Sequence, residues 1–319
     1  MIVLGADEWV APLTLRELAR TGLMVNPVAL DGSLFGWASG VDSTAAILDH
    51  FRAAGGNLVS TADHYAGGRS EVMIGSWLRS VRDRSSVVVA TKVGRHPDAP
   101  GLSQRSILRA VESSLERLGT DYVDILSFDG DDPDTPIEES LEAVDRLIRD
   151  GKVRFLSASR FTAARIGEAA QISRDSGFPS FAVVVVEYNL MDRSAYEAEL
   201  APIARELGRG AIVRLPHANG YLRGEFRSQD EIPENIVFDN ARRHIGRRGN
   251  RVLAALAEVA AELETTSAAV ALAWVLVKPG IAAAAVRVTH PEQLNELFGA
   301  ATLPLTRQQV ALLDSASDS

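Results

Sequence analysis

The residues that could do chemistry gather in three short stretches. The first is Asn57-Leu-Val-Ser60-Thr-Ala-Asp63-His64-Tyr65-Ala-Gly-Gly-Arg69-Ser-Glu71, the second Val89-Ala-Thr-Lys92-Val-Gly, the third Asp124-Ile-Leu-Ser-Phe-Asp129. Together they offer a phenol, a primary amine and a carboxylate. A tyrosine with its ordinary pKa of about 10 is a poor proton carrier at neutral pH and needs a nearby cation to become a useful one. A buried lysine in turn needs a counter-charge. A carboxylate such as Asp129 suits the work of a general base, or is equally a solvated acid opening the loop Asp129-Gly-Asp-Asp-Pro. Ser60 reads as a strand-end hydroxyl and His64 as a loop residue. The six histidines are scattered without metal-ligand spacing, so no metal site is expected. The chain has no cysteine, which excludes disulfides, thiolate nucleophiles and Cys-ligated zinc.

Hydrophobic residues make up 46% of the 319 residues and charged residues 24%, as in soluble globular proteins. The net charge of −9 repels polyanions and argues against nucleic acid as a partner. The N-terminal stretch has neither the basic region nor the apolar length of a signal peptide. The longest apolar run, Ser267 to Val277, is too short to cross a bilayer. A cytoplasmic protein without a membrane partner is expected; the oligomeric state is left open.

These residues need elements to hold them. Short apolar runs, expected as strands, lie at Val25–Leu30, Leu58–Ser60, Val87–Thr91, Val123–Ser127, Val153–Ser157, Ala182–Val186, Ala211–Val213 and Ile281–Val286. They are continuous rather than alternating, which suits parallel strands covered on both faces. Helical patterns intervene, among them Ser43–Ala53, Ser103–Leu118 and Pro136–Ile148, the last opened by Thr135-Pro136. Eight strand–helix units point to an α/β fold, a (β/α)8 TIM barrel. The first strand is not followed by a Gly-x-Gly-x-x-Gly turn, which weakens the open-sheet alternative. The barrel is expected to fill residues 1–319 as one domain, with a long loop over its mouth at 214–250.

The three stretches, with Leu118-Gly-Thr-Asp-Tyr-Val-Asp, Asp132-Pro-Asp-Thr-Pro-Ile-Glu-Glu-Ser, Asp150-Gly-Lys-Val-Arg, Glu187-Tyr-Asn-Leu-Met-Asp-Arg and Pro291-Glu-Gln-Leu, resemble the aldo-keto reductases over nearly the whole chain. The resemblance implies a (β/α)8 barrel that reduces carbonyls with NADPH through an Asp, a Tyr, a Lys and a His. Tyr65 and Lys92 stand at two of these positions. Ser60 stands at the Asp position and Asp129 at the His position. The expectation is that the ion pair of Lys92 has moved from position 60 to Asp129. A carboxylate there would repel the charge that grows on a carbonyl oxygen during reduction.

The family's cofactor positions depart in the same direction. Ser159 is retained, but Arg160 stands where an Asn binds the nicotinamide amide and Val185 where a Gln does. Arg214 stands for a stacking aromatic, Arg287 for a glycine near the pyrophosphate, His290 near the grip on the 2′-phosphate, Leu297 for an Asn at the adenine and Asp31 for a glycine. No cofactor is therefore assigned; NADP(H) is the one implied if the family's activity is retained. Arg160, Arg214 and Arg287 at strand ends suggest a small anionic substrate. The plainer alternative pairs them with Asp31 and Glu187. Three functions follow. The first is a barrel with impaired redox chemistry that acts on a small, sugar-like or other anionic molecule by cofactor-free acid/base chemistry, as a lyase, dehydratase or isomerase using Tyr65, Lys92 and Asp129. The second is a working NADP(H)-dependent oxidoreductase, and the third a non-catalytic binding module.

Overall fold

The structure, a computed structural model, describes residues 14–318 apart from 207–209, 225, 227, 235–237 and 239. The continuous apolar runs become eight parallel strands closed into a barrel: β3 (Val28–Asp31), β4 (Leu58–Ser60), β5 (Val88–Val93), β6 (Val123–Asp129), β7 (Val153–Ser159), β8 (Phe181–Glu187), β9 (Gly210–Arg214) and β10 (Ile281–Val286). β10 pairs with β3 to close the ring. The barrel interior is filled by Ala29, Leu58, Val88, Ile125, Val183, Ile212 and Ala283, all buried.

Outside lie the covering helices, including α1 (Val41–Ala53), α2 (Arg69–Leu78), α3 (Gln104–Leu118), α4 (Ile137–Arg149) and α5 (Ala163–Ser176). Further along are α6 (Ala201–Glu206), α7 (Arg247–Glu262), α8 (Ser267–Leu276), α9 (Gln293–Ala300) and α10 (Arg307–Ser317). The hydroxyls of Ser103, Thr162, Thr266 and Thr306 each accept a first-turn N–H, which fixes where four of these helices begin. No single helix among the described residues is long and apolar enough to cross a membrane.

The run expected at Val25–Leu30 is divided in two. Pro27 has no N–H to give, and the Asn26 side chain takes the Val28 N–H instead. Met24–Val25 (β2) therefore pairs backwards with Arg16–Glu17 (β1) as a hairpin, a piece the sequence pattern did not reveal. The hairpin sits against the barrel's N-terminal end, where Arg16 donates to the carbonyls of Leu276 (3.0 Å) and Ile281 (3.2 Å). Leu18, Leu23 and Val25 close the interior core from below.

The opposite end is polar because strand register sets charged tips side by side. Asp31 pairs with Ser60, Lys92 with Ser127, Asp129 with Ser159 and Glu187 with Arg214. The turn that carries Tyr65 leads directly into α2, and α2 is tied to α3 by a buried ion pair, Arg117 Nε to Glu71 Oε2 at 2.7 Å. Glu71 also accepts from the Thr91 hydroxyl, one residue from Lys92. Burial holds the Glu71 carboxyl above its ordinary value against the pull of Arg117. Removing one partner of a buried pair strands the other's charge. Arg117→Leu is expected to destabilise the protein by about 3 kcal/mol in urea unfolding, and to loosen the Tyr65 turn with it.

Candidate active site

The amine of Lys92 is the innermost charge at the barrel mouth. It donates to Ser60 Oγ at 3.0 Å and to the Thr61 carbonyl at 2.7 Å, and is itself buried. Among the described residues no carboxylate comes within ion-pair distance of it. The expected transfer of the ion pair to Asp129 is thus not found. The reason is on β7 and the neighbouring loops: Asp129 Oδ1 accepts from the Ser159 hydroxyl at 3.0 Å and faces Arg160 Nε at 3.2 Å. Its other oxygen lies 3.8 Å from His64 Nε2 and 3.9 Å from Arg95 Nη1. Guanidinium groups have captured the carboxylate before the lysine could.

Asp31 acts on Lys92 from β3, beside Ser60, and Asp129 acts after it; both favour the charged amine. Burial outweighs them, and Arg214 and Arg160 add to it, so the amine is held below the ordinary lysine value. Tyr65 lies over this amine, with Lys92 Nζ 5.0 Å from the ring centroid. The Tyr65 hydroxyl has no hydrogen bond to the described residues and is free for a ligand. Burial first, then Asp31 and Asp129, hold this phenol well above the usual tyrosine range, with Arg214 and Arg160 pulling the other way. The phenol therefore stays protonated, contrary to the lowering a proton-shuttling Tyr needs.

Three arginines surround this pair. Arg160 and Arg214 act on both Tyr65 and Lys92, and Arg287 feels Asp31 first and Tyr65 next. Each has a fixed partner. Arg160 holds Asp129. Arg214 makes a close pair with Glu187, which is also held by Arg243 at 3.0 Å. Arg287 donates to Asn219 Oδ1 at 2.8 Å. The pairing of Arg214 with Glu187 matches the plainer alternative read from the sequence; Asp31 instead accepts from the Ser33 N–H and influences its neighbours through space. Arg160 occupies a left-handed backbone position, φ 60°. An Asn tolerates that conformation far better than an Arg, which costs about 1–2 kcal/mol there. That backbone conformation suits the Asn usual at this position.

Next to Arg287 is a small polar cavity of about 20 Å³, room for a water, lined by Pro216, His217, Asn219 and Arg223 among others. Burial, and then Arg223, push the His217 imidazole down to about 3, so it is neutral, with Nε2 3.0 Å from the Ala268 carbonyl. His290 lies on the exposed rim against the Thr289 hydroxyl. His64, read as a loop residue, lies in the turn before Tyr65; it stacks edge-on against that ring and has Nδ1 3.3 Å from Asp63 Oδ1. Asp63 is buried, and its Oδ2 has no hydrogen-bond partner among the described residues. Arg95 and Asn219 were not picked out as site residues. Their shared signal is position, each standing at or just past the end of a barrel strand.

A sequence profile of the aldo/keto reductase family matches residues 32–318. The chain belongs to this family. A putative voltage-gated potassium channel subunit beta from Schizosaccharomyces pombe is 30% identical over 297 residues, covering 88% of this chain and 86% of the relative. A probable voltage-gated potassium channel subunit beta from Oryza sativa subsp. japonica is 31% identical over 307 residues, covering 92% and 93%. This aldo/keto reductase barrel thus keeps the tyrosine and lysine while a hydroxyl and a carbonyl hold the amine.

The buried amine leaves a mark on stability. Its folded pKa is lower than its unfolded one, so at neutral pH the unfolded chain binds the proton more readily and folding is penalised. That penalty falls as pH rises from the depressed value toward about 10.4. The stability of the wild type relative to Lys92→Met is therefore expected to increase with pH across this window, read from urea unfolding at a series of pH values.

Proposed function

We propose that this aldo/keto reductase barrel has lost hydride transfer and acts on a small anionic molecule by cofactor-independent proton chemistry, as a lyase, dehydratase or isomerase. The observation that carries this is the exchange of partners at the mouth. Lys92 is held by a serine hydroxyl and a carbonyl, while Arg214, at the position where the family stacks an aromatic on nicotinamide, is locked onto Glu187. These residues do not suit NADP(H): a guanidinium presents charge, not a ring face, and Arg287 projects a long side chain from a glycine position.

The arginines have donors to spare for a substrate. A guanidinium carries five N–H groups in a flat fork that matches a carboxylate or phosphate. Arg160 and Arg214 each use only part of theirs on Asp129 and Glu187. An anion seated between them would bring its neighbouring carbon to the Tyr65 hydroxyl and within the field of Asp129. Asp129 then serves as the base, and the Tyr65 hydroxyl, which stays protonated, as the hydrogen-bond donor to the substrate.

The names of the two relatives favour a second function, a subunit that binds a membrane-channel partner. It requires no turnover and no particular anion. The retained family default is NADP(H)-dependent carbonyl reduction. Calorimetric titration separates the three. With NADPH up to about 1 mM, the level at which binding is worth only about −4 kcal/mol, no saturable heat is expected. With pyruvate as a carboxylate probe, saturable heat is expected, and Arg160→Ala or Arg214→Ala should each weaken it by about tenfold, the value of one charge-assisted hydrogen bond. Micromolar binding of NADPH would restore the reductase. Absence of binding by both probes would favour the channel-type subunit.

A further inference from the structure

The chain contains 33 basic side chains, of which only three are lysines: Lys92, Lys152 and Lys278. Two of the three are paired with carboxylates. Lys152 Nζ lies 2.6 Å from Glu112 Oε2, and Lys278 Nζ lies 2.7 Å from Asp314 Oδ1. Lys92 is the deeply buried one, and among the described residues it alone of the three has no carboxylate partner. Its hydrogen bonds go to an alcohol and an amide carbonyl, neither of which stabilises a full positive charge as an acid would. An arginine in its place could not lose its proton; a lysine can.

We propose that Lys92 is a nucleophile that condenses with the carbonyl group of a small anionic aldehyde or ketone to form an imine at the barrel mouth. This rests on the preceding view that the mouth takes a small anion without a dinucleotide. The geometry supplies what an imine-forming lysine needs. The amine sits in a desolvated place beside other cations, the setting in which a lysine is most readily neutral. Burial, with Arg214 and Arg160, keeps its proton affinity low. The Tyr65 ring lies against the same amine, with Lys92 Nζ 5.0 Å from its centroid, and its hydroxyl, kept protonated, is a hydrogen-bond donor for the carbonyl oxygen. Arg160 and Arg214 are placed to hold the substrate's carboxylate or phosphate.

The step balances without any cofactor. The Nζ lone pair attacks the carbonyl carbon, a C–N bond forms and the π pair moves onto oxygen. That oxygen takes the proton that Nζ releases. The carbinolamine then breaks its C–O bond, oxygen leaves as water with the second amine proton, and C=N forms. The products are the imine and one water; nothing is oxidised or reduced. An imine next to a C–H or C–C bond withdraws the electron pair of that bond once protonated, which is chemistry open to a lyase or isomerase.

The test is reductive trapping of the whole protein. Pyruvate is incubated with the protein in the presence of cyanoborohydride, whose hydride converts the protonated imine to a stable secondary amine, and peptides are mapped by mass spectrometry. The adduct is expected on the Lys92 peptide, exceeding those of Lys152 and Lys278 by about tenfold or more, since one unit of pKa changes the neutral amine fraction tenfold. Ser60→Asp keeps the lysine but places an acid beside it, and is expected to cut the Lys92 adduct by about tenfold while the other two lysines are unchanged. No adduct at Lys92 in the wild type, or equal labelling of all three lysines, would overturn the proposal. So would full labelling at Lys92 in a folded Ser60→Asp variant. NADPH binding in the separate titration would defeat the anion view alone, because it leaves the adduct at Lys92 to be read independently.

Discussion

A buried amine without an acid is the constraint around which the barrel mouth is arranged. Lys92 leans on the Ser60 hydroxyl and the Thr61 carbonyl. Desolvation of an ammonium costs several kcal/mol unless a counter-ion or enough dipoles restore what water supplied. Asp31 and Asp129 supply part of it through space. The rest is met by letting the amine lose its proton more easily. Tyr65 then sits over a weakened cation within the field of two acids, Asp31 and Asp129, and burial with that field drives its phenol toward permanent protonation. A β4 hydroxyl rather than a carboxylate at the amine therefore bears on the proton chemistry of both Lys92 and Tyr65.

The rest of the mouth follows from electrostatic pairing across strand tips. Parallel register puts Glu187 against Arg214 and Asp129 against Ser159, with Arg160 next along the chain. Arg243 reinforces Glu187 from the long loop and bonds Asp192 at 2.9 Å. These partnerships hold the Arg160 and Arg214 guanidinium groups in place within electrostatic reach of Tyr65. Cations held in this way are preorganised for an anion, since their geometry is set before the ligand arrives. The hairpin at the other end closes the core and leaves the C-terminal end of the barrel as the place where polar groups meet, as in other barrels.

The barrel was legible because its strands are buried on both faces and their apolar runs are unbroken. Boundaries at Leu58–Ser60 and Ile281–Val286 fall as the sequence pattern places them. The hairpin was not legible, since two strands of two residues each carry no periodicity and Val25 reads as part of the next run. Tyr65, Lys92, Asp129 and the three arginines could be picked out by position in familiar stretches, and the structure brings them to one end of the barrel. Who pairs with whom could not. A sequence lists the cations near Asp129 but gives no distances, and the short reach of Ser159 at the end of β7 and of Arg160 just past it decided the competition against Lys92. His64 was obscured in the same way: only the fold of the Tyr65 turn places its ring between Asp63 and Asp129.

The state of the Lys92 amine is the point on which the account stands, and the chain's scarcity of lysines makes it directly observable. Protein labelled with carbon-13 at the lysine ε-carbon should give one signal for each of Lys92, Lys152 and Lys278, assigned by Lys92→Arg. Followed by NMR as a function of pH, the Lys92 signal is predicted to titrate below the ordinary lysine value of 10.5. A Lys92 signal that stays in its charged position up to or beyond that value would mean that a counter-charge holds the ammonium after all, and would contradict the account.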